Sequence, residues 1–512
     1  MFKRVVTKKI SFDNEKYLEE QTKEILCRVK KFDNKLYLEF GGKICFDYHA
    51  ARVLPGYDPN IKMRLLEKLK DYAEIVISVY SKDIEHGRVR GDFGITYDLA
   101  TLKLIDDLKA WNLDINSVVL TRFDNEPPLL KFKRKLETSG IKVYKHLYIE
   151  GYPSDIEKIV GPEGYGKNDY IETKKPIVIV TAPGPGSGKL AVCLSQLYYD
   201  HKKGINSGYA KFETFPIWNL PLKHPVNIAY EAATVDLGDF NLVDPHHLKA
   251  YNKEAVNYNR DVDAFPILRN ILEKINNCSK ESHYNSPTDM GVNRAGFAII
   301  DDNVVQEAAK EEIIRRFFRH NLEFATGIGT KKELERSKAI MDKIAVKPED
   351  RSTVLPAREA AEQCRVEDKG NKGYYCGASI ELSDGKIIKG KNSPLMHAAS
   401  SAIINAIKYL GNIDDKVHIL KPEVMQDLAD LKKNILSMAS ESLTLDEILV
   451  ALSISAHTDT NAKSAFSMLK ELRGCELHST HVPTPGDEAG LRKLGINFTT
   501  DAIPSSSLFF NC

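Results

Sequence analysis

A chain of 512 residues with 42% apolar and 28% charged side chains has enough material for several ordinary cores, which excludes a disordered tail or a disulfide-stapled miniprotein. Its 72 Lys and Arg against 71 Asp and Glu leave a formal charge of +1, so no net field draws it to nucleic acid or to an anionic membrane. Length alone predicts about three domains.

The opening MFKRVVTKKI lacks the apolar stretch and small-residue cleavage site of a secretory leader. No apolar run approaches the ~18 residues of a membrane span. Cys27, Cys45, Cys193, Cys278, Cys364, Cys376, Cys475 and Cys512 are scattered with no CxxC pair, as suits reduced thiols. A cytoplasmic protein without a membrane or nucleic-acid partner is expected.

Strand-like and helix-like blocks then alternate. Residues 36–46 read as extended, 61–73 as an amphipathic helix, and 75–79 as a β-branched strand. Helical period returns at 98–111, a strand at 117–121, a helix at 128–138 and a strand at 143–149. Parallel strands need crossovers, usually helices, so this alternation predicts a Rossmann-like parallel sheet over residues 1–150. A Gly- and Pro-rich stretch at 151–175 reads as a linker. The most plainly buried strand, 176–181, opens a second α/β region, P-loop-like, over 170–345, with a helix at 190–203. Residues 204–302 read as loops, and 305–347 as a charged helical region. The last segment, 346–512, reads as a smaller α+β domain. It has a hairpin around Ser383-Asp384-Gly385 and a helix capped by Ser393 and stopped by Gly411. A capping box at Thr444 and Glu447 follows, and then strands at 475–482 and 496–500 around another short helix.

Between the strand 176–181 and its helix lies Ala182-Pro-Gly-Pro-Gly-Ser-Gly-Lys189. Backbone N–H groups and a helix dipole converge there on an anion, glycines let the backbone approach closely, and a lysine adds a point charge. Gly184, Gly186, Ser187, Gly188 and Lys189 are therefore the expected phosphate-binding residues. The pattern GxxxxGK[ST] would place its first glycine at Pro183 and its magnesium-binding hydroxyl at Leu190, so Ser187 or Thr181 would have to supply that hydroxyl. A tight turn that only packs helix on strand is the other reading. Gly296 to Asp302 reads as a strand ending in Asp301 and Asp302, candidates for a phosphate-bound magnesium or for a solvated turn.

Ligands of open α/β sheets sit beyond the carboxyl ends of the strands. Those ends carry Arg52 with Asp47 and His49, then Arg88, Arg90 and Asp92, then Arg122 with Asp124. Forked guanidinium donors suit phosphate or carboxylate, so Arg52, Arg88, Arg90 and Arg122 form a candidate second anion site, with solvated ion pairs as the alternative. Asp244, His246, Arg260 and Asp261 are the acid–base candidates for catalysis. His478 and His481 point to opposite faces of a strand and make a poor metal pair. The chain has no HExxH and no GxSxG.

The runs FDYHAARVLPGYDP, VRGDFGITYD, VTAPGPGSGK, YAKFETFPIWNLPLKHPVN, NYNRDVDAFP and SPTDMGVNRAG resemble the bacterial family known as domain of unknown function 1846, from about Phe12 to Phe510. The resemblance implies a bacterial cytosolic protein with a Rossmann-like N-terminal region and a separate C-terminal domain, and it carries over no catalytic residue. The function expected from the residues is an enzyme of transferase or ligase type, acting on a phosphorylated small molecule such as a nucleotide with magnesium. The alternative is a non-catalytic sensor or assembly protein, favoured by the missing hydroxyl after Lys189. Homo-oligomers suit either.

Overall fold

The computed structural model describes residues 10–90, 94–276, 284–438 and 440–504. They form two compact units, one of 10–231 with 238–309, the other of 232–237 with the chain from Lys310 on.

The first unit is built on seven strands: β1 Leu36–Phe40, β2 Ala73–Tyr80, β3 Ile115–Thr121, β4 Lys142–His146, β5 Ile177–Thr181, β6 Gly208–Phe212 and the short β7 Gly291–Val292. Their order is β7-β6-β1-β5-β2-β3-β4, and every neighbouring pair runs parallel. A parallel sheet is covered on both faces, so its central strands read as unbroken apolar runs. β1 and β5 are buried along their whole length. The chain lays down β1 to β4, then returns to place β5 between β1 and β2. The segments 1–150 and 170–345, read from sequence as separate domains, thus share one sheet.

Helices α1 Asn14–Lys30, α2 Tyr97–Ala110, α3 Pro127–Thr138, α4 Lys189–Lys202 and α5 Asn259–Ile275 accompany the sheet, and α6 Asp302–Ala325 follows it. Three local expectations change. The helix predicted over 61–73 stops at Lys68, because Ala73 already pairs with Ile177 as the first residue of β2. The stretch 204–302 is more regular than its Pro and Asn content predicts, holding β6, a helix Pro225–Ala233, a second Pro245–Tyr251 and α5. The predicted strand ahead of Asp301 is a single 3-10 turn, Ala295–Ala298, followed by one bridge from Ile299 to Phe12.

The second unit carries β8 Gly377–Glu381, β9 Ile387–Lys391, β10 Glu476–His481 and β11 Asn497–Ile503 in the order β9-β8-β10-β11, with only the last pair parallel. Helices α7 Val354–Val366, α8 Ala398–Leu410, α9 Leu445–Ser455 and α10 Pro485–Leu494 are among those of this unit. The predicted hairpin and the Thr444–Glu447 capping box are present. Ser393 does not cap a helix. Its Oγ accepts from the N–H groups of Leu395 and Met396, Met396 bridges to Leu443, and α8 begins only after His397. Among the described residues, no helix is long and apolar enough to cross a membrane.

Candidate functional site

Where β1 leads to β2 on one side and β5 leads to β6 on the other, the winding of the sheet reverses. Right-handed crossovers put the two connections on opposite faces and open a crevice at the carboxyl ends of β1 and β5. Glu39 of β1 is in register with Val180 of β5, one residue before Thr181 and the glycine turn.

The turn is held from beneath. The Ser187 carbonyl accepts hydrogen bonds from Ser78 Oγ of β2 at 2.6 Å and from Thr121 Oγ1 of β3 at 2.8 Å. Gly186 and Gly188 have φ of +69° and +82°, which glycine adopts without penalty. A Cβ on Gly184 would strike the Tyr97 ring at 2.5 Å, so glycine is required there for close approach. Gly186 faces open space instead. Gly188 is the N-cap of α4, and no carboxylate occupies the first turn of that helix. Lys189 is half-buried and makes no ion pair or side-chain hydrogen bond among the described residues. The Ser187 hydroxyl is buried and likewise has no hydrogen-bond partner among them. A positive helix end, an ammonium without an ion pair and a hydroxyl without a partner among the described residues thus share one turn.

Two strands from β5, on β6, lies a charged cluster of which the sequence singles out only Asp261. Lys211 of β6, in register with Glu39, donates to Asp261 Oδ2 at 2.6 Å and Glu213 Oε1 at 2.7 Å, and to the Tyr258 hydroxyl, over whose ring its ammonium lies. Tyr258 also donates to Glu213 at 3.3 Å, and the Tyr209 hydroxyl donates to Glu39 at 2.8 Å. Burial pulls the Lys211 ammonium down, but Asp261 and Glu213, then Tyr258 and Glu39, outweigh it and raise it well above its usual range. Burial pushes the Glu213 carboxyl up to about 7; Lys211 opposes this, while Asp261 and Glu39 add to it. A carboxyl at neutrality in a crevice is a candidate acid–base group. The cluster and the turn meet electrostatically at Cys193 of α4: burial and the Glu39 charge raise this thiol, and Lys189 lowers it.

The chain is matched from residue 10 to 345 by the family "Domain of unknown function DUF1846, N-terminal", and from 349 to 510 by its C-terminal counterpart. It belongs to that family. A UPF0371 protein of Clostridium tetani is 54% identical over 504 residues, covering 98% of this chain and 100% of its own length. One of Clostridium botulinum strain Eklund 17B is 55% identical over 505 residues with the same coverage. The N-terminal match spans the whole seven-stranded sheet, so turn and cluster lie within one family domain.

The remaining predicted residues take various places. Arg52 sits half-buried on the short helix Tyr48–Val53 after β1. Arg88 pairs with Asp83 at 3.2 Å and lies over the Tyr97 ring, the ring that Gly184 abuts. Arg90 pairs with Ile95 in a two-residue ladder, and Asp92 lies outside the described residues. Arg122, at φ +50°, lies over the rings of Tyr80 and Tyr148. Asp301 accepts from the Val304 N–H, while Asp302 faces His224 at 3.0 Å and Gln306 at 2.7 Å, so both carboxylates are engaged at the start of α6. Among the described residues, no group of three or more His, Cys, Asp or Glu is arranged to hold a metal.

Of the four acid–base candidates, only Asp261 joins the cluster. Arg260 forms a bidentate pair with the fully buried Asp239, at 2.5 and 2.8 Å, and His246 packs against Phe265. Asp244 is fully buried as the cap of helix Pro245–Tyr251. It accepts from the N–H groups of His246 and His247 and from the hydroxyl and N–H of Thr288. Asp244→Ala is therefore expected to destabilise the first unit by about 2–4 kcal/mol through the lost cap and charged hydrogen bonds, while ligand affinity of the surviving folded protein stays unchanged. Urea melts paired with ligand titration check this, and unchanged stability with lost affinity would return Asp244 to the site.

Proposed function

We propose that this protein is a cytoplasmic enzyme that binds a phosphate-bearing small molecule, a nucleotide or phosphorylated metabolite, at residues 184–189 and carries out a transfer or ligation on it. The observation that carries this reading is the pairing of Lys189, without an ion pair among the described residues, with the buried and unpartnered Ser187 hydroxyl at the N-terminus of α4. A turn that only packed helix on strand would have no use for either. The charged cluster around Lys211 supports chemistry beside the bound phosphate rather than binding alone.

The test is a thermal-shift panel of nucleotides, sugar phosphates and inorganic pyrophosphate, with and without magnesium, on wild type and Lys189→Ala. A ligand at about 100 times its Kd adds roughly 2.7 kcal/mol and moves a midpoint by several degrees. The expected result is a shift in wild type that is lost in Lys189→Ala. A panel flat in both proteins would leave the turn a packing device. Magnesium dependence of the shift would show whether the Ser187 hydroxyl serves in place of the one missing at Leu190.

A further inference from the structure

We infer that Glu213, gripped by Lys211 and flanked by Asp261, is the proton-transfer group of the site, giving a proton to an oxygen or nitrogen of the ligand whose phosphate the glycine turn holds. This rests on the phosphate-binding reading of that turn.

Three carboxylates, Glu39, Asp261 and Glu213, surround one ammonium, Lys211. An excess of negative charge in a half-buried crevice calls for a proton, and the question is which carboxylate carries it. Glu39 is buried and accepts from the Tyr209 hydroxyl, and Asp261 accepts from Lys211 at 2.6 Å. Glu213 shares Lys211 with two other oxygen partners and faces like charges from two separate elements. Asp261 faces it from α5 and Glu39 from β1, with Tyr258 from the strand before α5 and Tyr230 from helix Pro225–Ala233. Glu213 is accordingly the carboxyl held at about 7.

Its position suits the task. Lys211 is in the last two residues of β6 and Glu213 follows the strand directly, with their side chains in contact at 2.7 Å. A Cβ on Gly41, just after β1, would come within 3.0 Å of the Phe212 carbonyl, so glycine there lets the ends of β1 and β6 pack closely and brings Glu213 against β1. Glu213 retains 15% of its surface and Asp261 24%, so ligand atoms have access. In the step itself the O–H bond of the protonated Glu213 carboxyl breaks, its electron pair stays on the carboxylate, and the proton forms a new O–H or N–H bond on the ligand. Lys211 steadies the carboxylate that is left.

Two measurements separate this inference from the phosphate reading. Infrared difference spectra of the ligand-free full chain between pH 5 and 9 should show a protonated carboxyl titrating near neutrality. That signal should be absent from Glu213→Gln and moved to lower pH in Asp261→Asn, which removes a neighbouring negative charge. Calorimetry of inorganic pyrophosphate binding in two buffers of different ionisation enthalpy should show proton uptake in wild type but not in Glu213→Gln, because the arriving anion raises Glu213 further. A neutral titration that survives Glu213→Gln overturns the assignment, as does equal proton uptake in both proteins. Pyrophosphate binding that is absent from wild type, with the infrared titration intact, overturns the glycine-turn reading and the ligand coupling together while leaving the titration itself standing.

Discussion

Lys211→Met is expected to destabilise the first unit by about 3–5 kcal/mol, with the loss growing as pH rises from 6 to 9. Removing one partner of a half-buried ionic cluster leaves uncompensated charge, and here Glu213, Asp261 and Glu39 all lose their cation. The pH slope follows from Glu213. Its folded value, about 7, lies above the ordinary 4.5, so its contribution to stability is fully present below 4.5 and is lost as pH rises through 7. In wild type that loss is on the order of 3 kcal/mol. Lys211 is the group that holds Glu213 down, so without it Glu213 titrates higher still and the loss extends past neutrality. Lys211→Met with Glu213→Gln should recover part of the stability and flatten the slope, because one uncompensated charge is gone. Trp111 and Trp218, the two tryptophans of the chain, both lie in this unit, so urea melts followed by tryptophan emission at pH 6, 7.5 and 9 report the effect. A loss below 1 kcal/mol at every pH would mean that water already screens the cluster, and would remove the electrostatic basis for a neutral Glu213.

What the sequence disclosed and what it hid divide along the range of the interactions. The β-branched run Ile177 to Thr181 announces a buried strand by itself, and the glycines after it announce a turn, because both are set by neighbours in the chain. The order of the strands is not local. Pairing of Leu36 with Ile177 joins residues far apart in sequence, and no pattern in either stretch names the other; hence one sheet was read as two domains. The same distance concealed the charged cluster. Lys211 and Glu213 sit in plain view as Lys-Phe-Glu, alternating as a strand should, but their meaning appears only once β6 lies beside β1 and brings Glu39 into register. Asp244 is the reverse case: Asp followed by Pro is an N-cap with proline at the first helical position, a local signal that capping explains without chemistry. Ser393-Pro394 carries the same signature and fails, since the bridge from Met396 to Leu443 keeps that stretch out of the helix. Local signals hold until a tertiary contact outbids them.

Arg351→Met should cost the second unit about 3–5 kcal/mol, with no new contact to offset it. Arg351 is fully buried and places its whole fork: Nη1 reaches Glu311 at 2.8 Å and Glu476 at 3.1 Å, Nε reaches Thr499 Oγ1 at 3.1 Å, and Nη2 reaches the carbonyls of Leu477 and Asn497. Methionine fills the stem but leaves two carboxylates short of a cation and two strand carbonyls short of a donor. Glu476 keeps the more distant Arg315, at 3.9 Å, and the Asn497 amide at 3.0 Å. Arg351→Lys tests whether charge or fork matters: a lysine restores one positive charge but cannot serve β10 and β11 at once, so an intermediate loss is expected. Hydrogen exchange resolved to the peptides of β10 and β11 is the suitable measurement, because the substitution acts where these strands pair. Equal exchange in wild type and Arg351→Lys would assign the stabilisation to charge alone. Equal loss in the lysine and methionine variants would assign it to the planar fork that joins the two strands.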